Sequence, residues 1–207
     1  MGYVATGLFN NQAEINGAPK QTFAGAVKPG DIRYTDMNND GIINENDRVA
    51  LQIVNFPTNV FGVSLGASYK GIDFSVLFQG TLGGKTYVPY LGPNRLADIW
   101  TPETAATATY PLVHYSLAGG LNNSQINSFF IYSSDYLKLK NIELGYNLPK
   151  TLLSRIKINN LRVFFSGLNL FTWDKLPYDD FDPEQVANGT AIYPTQKIYN
   201  LGLSMSF

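Results

Sequence analysis

Cysteine is absent from the 207 residues, so the chain has no disulfide framework, no thiolate metal site and no cysteine nucleophile. Histidine occurs once, at His114, which removes multi-histidine metal centres and most histidine-based acid–base chemistry. Charge is sparse: Asp, Glu, Lys and Arg make up 15% of the chain, against about a quarter in ordinary domains. The net charge is -1, so no basic surface calls for nucleic acid or an anionic membrane surface as partner. No run approaches the ~18 consecutive apolar residues of a membrane-spanning helix. The start, Met1-Gly2-Tyr3-Val4-Ala5, lacks the basic stretch and apolar run of an export signal, so a signal peptide is expected to be absent. Helical patterning is confined to Lys150–Lys157, after Pro149, where Leu152, Leu153 and Ile156 recur at one-turn spacing.

What the chain has instead is hydrophobic residues at 44%, aromatics at 14% with 13 Tyr and 13 Phe, and 19 Gly. On length this is one domain or two small ones, with ample apolar content to fold. The apolar residues alternate. Tyr199, Leu201, Leu203, Met205 and Phe207 are separated by Asn200, Gly202, Ser204 and Ser206, the period of a half-buried strand. Phe61, Val63, Leu65, Ala67 and Tyr69 alternate with Gly62, Ser64, Gly66 and Ser68. A second run, Ile72, Phe74, Val76 and Phe78, follows Lys70-Gly71. A two-residue turn there pairs Tyr69 with Ile72, Ala67 with Phe74 and Leu65 with Val76. Both apolar sets then share a face, so register and turn length agree independently. A third strand covers Tyr136 to Leu148, with Ile142, Leu144, Tyr146 and Leu148 on one parity. Leu137 and Leu139 have the other, which predicts a bulge near Lys140 or Asn141. A fourth runs from Leu161 to about Phe171, with bulk on both faces.

The connections between these five strands alternate in length. Two are short, at Lys70-Gly71 and 149–160; two are long, at Thr81–Tyr132 and Thr172–Thr195. A compact soluble domain rarely carries a loop of about fifty residues. Transmembrane barrels do, with short periplasmic turns and long extracellular loops. On this reading residues 1–56 form an extracellular loop region and 57–207 the barrel strands and loops. The large apolar face meets lipid, the small polar face lines a wet interior, and Phe61, Tyr69, Phe78, Tyr136, Tyr146 and Phe207 suit the interfacial girdles. The expected fold is all-β and antiparallel: about five strands from the C-terminal portion of a large transmembrane barrel. The alternative is a soluble, secreted calcium-binding β module that binds carbohydrate, with the large face as core.

One segment carries a metal-binding pattern. Asp36-Met37-Asn38-Asn39-Asp40-Gly41-Ile42-Ile43-Asn44-Glu45-Asn46-Asp47 places oxygen side chains at positions 1, 3, 5, 9 and 12, with Gly at 6. This is the EF-hand-type calcium loop. Asp36, Asn38 and Asp40 supply side-chain oxygens, Ile42 its carbonyl, Asn44 a water-mediated contact and Asp47 the closing carboxylate. The flanks are not helical, so an isolated loop is expected, and the competing reading is a solvated Asn/Asp turn. Asp179, Asp180, Asp182 and Glu184 form an acidic cluster of the kind that serves glycosidases, read here as a solvated loop. His114 has no acid or nucleophile nearby in sequence and is read as structural. Trp100 and Trp173 suit packing or anchoring as well as sugar stacking. Gly83-Gly84-Lys85 lacks the spacing of a phosphate loop.

The motifs in order are specific: Gly2-Tyr3-Val4-Ala5-Thr6-Gly7-Leu8-Phe9, Lys28-Pro29-Gly30-Asp31-Ile32-Arg33-Tyr34, the 36–47 loop with Arg48, and Gly62–Gly71. Trp100-Thr101-Pro102-Glu103, Ser134–Ile142, Ser166–Trp173, Asp182-Pro183-Glu184 and the Phe207-ended strand follow. Together they resemble the C-terminal part of SusC/RagA-type TonB-dependent outer-membrane transporters of Bacteroidetes, over essentially the whole chain. The resemblance implies no enzyme activity and a role in a 22-stranded barrel with an N-terminal plug. It implies import of glycans or peptides across the outer membrane with a SusD-like lipoprotein, driven by TonB. It also implies that the terminal aromatic strand, at Tyr199 and Phe207, is read by the outer-membrane assembly machinery. The signal peptide, the TonB-contacting segment, the plug and most strands are missing from these 207 residues. Transport by this chain alone is therefore not expected, and the sequence leaves the substrate-binding residues unidentified.

Overall fold

The computed structural model describes residues 1–23, 25–54, 56–89, 96–114, 122–153, 158–177, 182–185 and 195–206. In chain order the elements are β1 (Ala5–Leu8), α1 (Gln12–Gly17), β2 (Lys20–Gln21), β3 (Ile32–Tyr34), β4 (Ile42–Ile43), β5 (Asn59–Tyr69), β6 (Ile72–Leu82) and β7 (Lys85–Tyr87). They continue with β8 (Ile131–Ser133), β9 (Tyr136–Asn147), α2 (Lys150–Leu153), β10 (Asn160–Asp174) and β11 (Ile198–Ser206). The chain divides into two compact units, one of residues 1–53 with 87–131, the other of 54–86 with 132–207.

The second unit is built on a five-stranded antiparallel sheet of order β11-β10-β9-β6-β5. The five expected strands are these five. The hairpin register also holds: Tyr69 pairs with Ile72, Ala67 with Phe74 and Leu65 with Val76. Lys70 at φ 48° and Gly71 at φ 86° form the left-handed pair that a type I′ turn requires. β5, β6 and β10 are longer than the alternation alone indicated, because the ladder continues through residues of mixed polarity.

The bulge near Lys140 is present. Leu77 pairs with Asn141 and Phe78 with Leu139, leaving Lys140 as the extra residue. A second irregularity, not visible in the pattern, faces it on β10. There Leu168 pairs with Asn141 and Phe171 with Leu139, and Asn169 takes φ 53°. The pair of bulges settles the parity. Leu137 and Leu139 join Ile142, Leu144 and Tyr146 on one face, and Leu170 packs with Val76 and Leu139 there. That face carries most of the large apolar residues of the five strands. Most are open to solvent in this chain, up to Leu201 at 79% and Leu203 at 71% exposed.

The opposite face is mostly small, polar or charged, as the barrel reading expects, although Val60, Leu77, Leu168 and Ile198 also fall on it. At two of its bulky positions glycine makes the room. The Phe164 ring lies over Gly202, and the Arg162 guanidinium lies over Gly145. The uncertain fourth strand is thereby oriented: Val163 and Phe165 join the apolar face, Arg162 and Phe164 the polar one.

The first unit is not a featureless loop region. β1 pairs antiparallel with β3, and β2 pairs parallel with β4. Tyr3, Phe9, Ile32, Tyr34, Ile43, Trp100 and Phe130 are buried. Tyr3, Phe23 and Tyr34 form an aromatic trio with centroids 5.0–5.6 Å apart. A buried amide network ties distant segments together. Gln21 Nε2 donates to Asn122 Oδ1 at 2.5 Å, Tyr34 N donates to Gln21 Oε1 at 2.8 Å, and Tyr34 OH donates to the Asn122 carbonyl at 2.7 Å. α1 has no buried residue and so no apolar stripe. It is held by its cap, where Asn11 accepts from Glu14 N and Glu14 returns to Asn10 N.

Candidate functional site

The loop 36–47 folds as a tight turn around its own oxygens. Asp36 Oδ2 accepts from Gly41 N at 2.7 Å, Asn38 Oδ1 from Asp40 N at 3.0 Å, and Asp40 Oδ1 from Ile42 N at 2.8 Å. Asn44 Oδ1 accepts from Asn46 N at 2.8 Å. Asp47 is fully buried and takes Met37 N at 2.8 Å and Asn44 N at 2.9 Å, one on each oxygen. Burial pushes the Asp47 pKa up, but the backbone N–H bonds from Asn44 and Met37 outweigh it and hold the carboxyl below its usual range. Gly41 at φ 83° supplies the sharp turn. β4 then directs the carbonyls: Gly41 and Ile43 accept from Lys20 N and Thr22 N, so the Ile42 carbonyl lies on the other side of the strand. Ile43 is fully buried and anchors the loop. The structure therefore gathers the expected residues into one turn. Among the described residues, no three His, Cys, Asp or Glu side chains are grouped to hold a metal ion. Any ion here would depend on the amides and the Ile42 carbonyl as well as the carboxylates.

His114 has a partner that sequence spacing could not reveal. Its Nε2 lies 2.5 Å from Oδ1 of the fully buried Asp31, which also accepts from Asn123 Nδ2 at 2.9 Å and Lys28 N at 2.8 Å. The pair is separated by 83 residues in the chain.

The acidic cluster is the clearest correction. Asp179 and Asp180 lie outside the described residues, but Asp182 and Glu184 are not a solvated loop. Lys138, with a side chain 2% exposed, donates to both Asp182 oxygens at 2.7 and 2.8 Å and to Glu184 at 2.8 Å. Lys140 reaches Glu184 at 2.9 Å, Tyr136 OH donates to it at 3.1 Å, and Thr195 Oγ1 donates to Asp182. Burial raises both carboxyl pKa values, but Lys138 leads the partners that bring them below the usual range. Two carboxylates neutralised by two ammonium groups have neither the free acid nor the free base that glycosidase chemistry needs. Nearer the short turns on the same face, Arg162 bridges Asp73 and Glu143. Its Nε is 3.0 Å from Asp73 and its Nη2 2.6 Å from Glu143. The parity of Asp73 and Glu143 was legible; the reach of Arg162 across Gly145 was not.

Of the two expected assembly-signal residues, Tyr199 is exposed on the apolar face and stacks with Phe165 at 6.3 Å. Phe207 lies outside the described residues.

No family model matches the chain. It is similar to TonB-dependent receptor P26 of Formosa agariphila, 30% identical over 203 residues, covering 86% of this chain and 20% of the receptor. It is also similar to TonB-dependent receptor P39 of that organism, 30% identical over 224 residues, covering 96% and 21%. Among solved structures, the RagAB peptide transporter matches 85% of this chain and 19% of its own at 25% identity and TM-score 0.59. The RagAB peptide importer in its open-open state covers the whole chain at 22% identity and TM-score 0.64, a likeness of fold. The chain spans about a fifth of the length of the curated relatives it matches. These relatives are receptors and transporters rather than enzymes, and the open five-stranded sheet has the fold of a piece of such a barrel. Over nearly all of its length the chain is thus similar to a part of TonB-dependent receptors, in keeping with its resemblance to the C-terminal region of the SusC/RagA transporters.

Proposed function

We propose that the chain is part of the wall and outer loops of an outer-membrane importer of glycans or peptides. The observation that carries this reading is the inverted sheet. Its large residues are exposed on one face, while Asp73, Glu143, Arg162 and Lys138 sit on the other. In a soluble sandwich the large face would be core. In a barrel it faces lipid and the charged face lines the wet interior. The short links at 70–71 and 149–160 then lie at the periplasmic rim and the long connections outside. TonB coupling and the SusD-like lipoprotein act through a complete transporter, of which this segment alone is not transport-competent. Tyr199 and Phe207 present the terminal strand to the assembly machinery.

Orientation is tested in the longer receptor by an epitope tag inserted after Ala106 or between Lys70 and Gly71. On intact cells antibody should reach the first tag and not the second. The reverse pattern, or reach of both, overturns the reading.

The 36–47 loop is proposed as a calcium site held by Asp36, Asn38, Asp40, the Ile42 carbonyl, Asn44 and Asp47. The order of oxygen donors, the Gly41 turn and the buried Ile43 support it. Calcium should raise the Tm of the chain, and an Asp36→Ala, Asp40→Ala double variant should lose that rise. An unchanged Tm in the parent contradicts the site.

A further inference from the structure

On the apolar face of the five-stranded sheet, the end that meets the long connections carries a stacked pair of rings. Phe171 and Trp173 lie 6.1 Å apart at 20° to each other, and both are more than half exposed. The Lys197 ammonium stands over the Phe171 ring at 6.0 Å, within cation–π range. Lys197 precedes Tyr199 by two residues, so it shares the parity of the apolar face. Leu137 pairs with Trp173, and Phe61 lies beyond it across Gly80, which completes the row.

These positions fit the outer rim of a lipid-facing wall. From the row of Tyr69, Ile72 and Tyr146 to the row of Phe61, Leu137 and Trp173 the strands run about 27 Å, or roughly 20 Å along the membrane normal at a barrel strand's tilt. That span nearly fills an apolar band of about 25 Å, so the two rings reach its edge. An ammonium group is costly within hydrocarbon, which sets Lys197 at headgroup depth, its stem along the rings. Lys197 is exposed and, among the described residues, makes no ion pair. A cation at that depth without a carboxylate is complementary to a lipid phosphate. The rings beneath it offer flat apolar surface to the acyl chains of the same lipid. Lys175, just past Trp173, is a second exposed cation near this rim. At the other rim Lys70 lies 5.2 Å from Tyr69, but there with a single ring.

We propose that Lys197, Phe171 and Trp173 form a binding site for an anionic lipid, with its headgroup phosphate on the Lys197 ammonium and its acyl chains along the two rings. The proposal rests on the reading of the apolar face as lipid-facing and adds to it a preference among lipids. A zwitterionic headgroup brings its own ammonium to the phosphate and competes with Lys197; an anionic one does not. Free phosphate has no chains for the rings to hold.

The test uses the full chain with Trp100→Phe, which leaves Trp173 as its one tryptophan. It is placed in bilayers of phosphatidylcholine and phosphatidylglycerol in equal parts, with bromine on the acyl chains of one lipid or the other. Quenching of Trp173 should be roughly twofold or more stronger when phosphatidylglycerol carries the bromine. Lys197→Gln, a change at an exposed position, should abolish that preference. Lys70→Asn, at the far rim, should leave it intact, and so should inorganic phosphate exchanged for chloride at constant ionic strength. Equal quenching by the two brominated lipids overturns the proposal and leaves the lipid-facing wall standing, whereas quenching by neither overturns both. A preference that survives Lys197→Gln, that falls as far with Lys70→Asn, or that inorganic phosphate erases also overturns the proposal.

Discussion

At Lys70-Gly71 the chain reverses with both residues in the left-handed region, which costs an ordinary side chain roughly 1–2 kcal/mol and glycine or asparagine much less. Lys70→Asn should therefore stabilise the hairpin by about 0.5–1 kcal/mol. Gly71→Ala should destabilise it by about 1–3 kcal/mol, since φ is 86° and an added Cβ would meet the Asn147 carbonyl oxygen at 2.8 Å. Urea midpoints of the two variants, moving in opposite directions, check this. Lys138 is the other decisive residue. Removing it as Lys138→Ala strands Asp182 and Glu184 beside Lys140 alone, and breaking such a buried pair costs about 3 kcal/mol or more. The pH dependence has a definite sign. Asp182 and Glu184 have lowered pKa values in the folded chain, so their stabilisation is complete above the ordinary carboxylate range, about 4. It is lost as pH falls through the lowered values. Acid titration of the unfolding midpoint should show this decline in the parent and a shallower one in Lys138→Ala.

At the scale of elements, the barrel strands were legible because each repeats a two-residue period over a long run, and the Lys70-Gly71 turn fixed one register unaided. What stayed hidden depends on contacts distant in sequence. The Asn169–Leu170 bulge has no pattern of its own; it exists because Lys140 opposite it is also an extra residue. The short strands of the first unit are two to four residues long, too brief for any period to appear. They are held by amides of Gln21, Asn122 and Asn127 that come from opposite ends of that unit. For the site, the 36–47 loop was readable because its ligands are consecutive. The Asp31–His114 and Lys138–Asp182 pairs were not, being 83 and 44 residues apart. The bulge account is testable: deleting Lys140 leaves Leu139 and Ile142 two positions apart, so a regular strand keeps both on the apolar face, whereas deleting Lys140 and Asn141 together moves Leu137 and Leu139 to the charged face and Lys138 to the apolar one. The double deletion should fail to form protease-resistant sheet in lipid vesicles, whereas the Lys140 deletion and Lys140→Ala should form it.

At the scale of the whole chain, the five-stranded sheet leaves β5 and β11 each with one unpaired edge and leaves an apolar face uncovered. Five strands are fewer than the eight or so of the smallest barrels. In detergent-free buffer the chain should therefore self-associate, seen as a broad, fast distribution in sedimentation velocity; a sharp monomer boundary contradicts that. The central claim is that the apolar face meets lipid. Tryptophan placed at Leu201 or Leu203, and separately at Asn200 or Ser204, in a background with Trp100 and Trp173 changed to Phe, reads it most directly. In bilayers of brominated lipid, fluorescence at 201 and 203 should be strongly quenched and at 200 and 204 little affected. Equal quenching at all four positions, or quenching at 200 and 204 instead, would contradict the account.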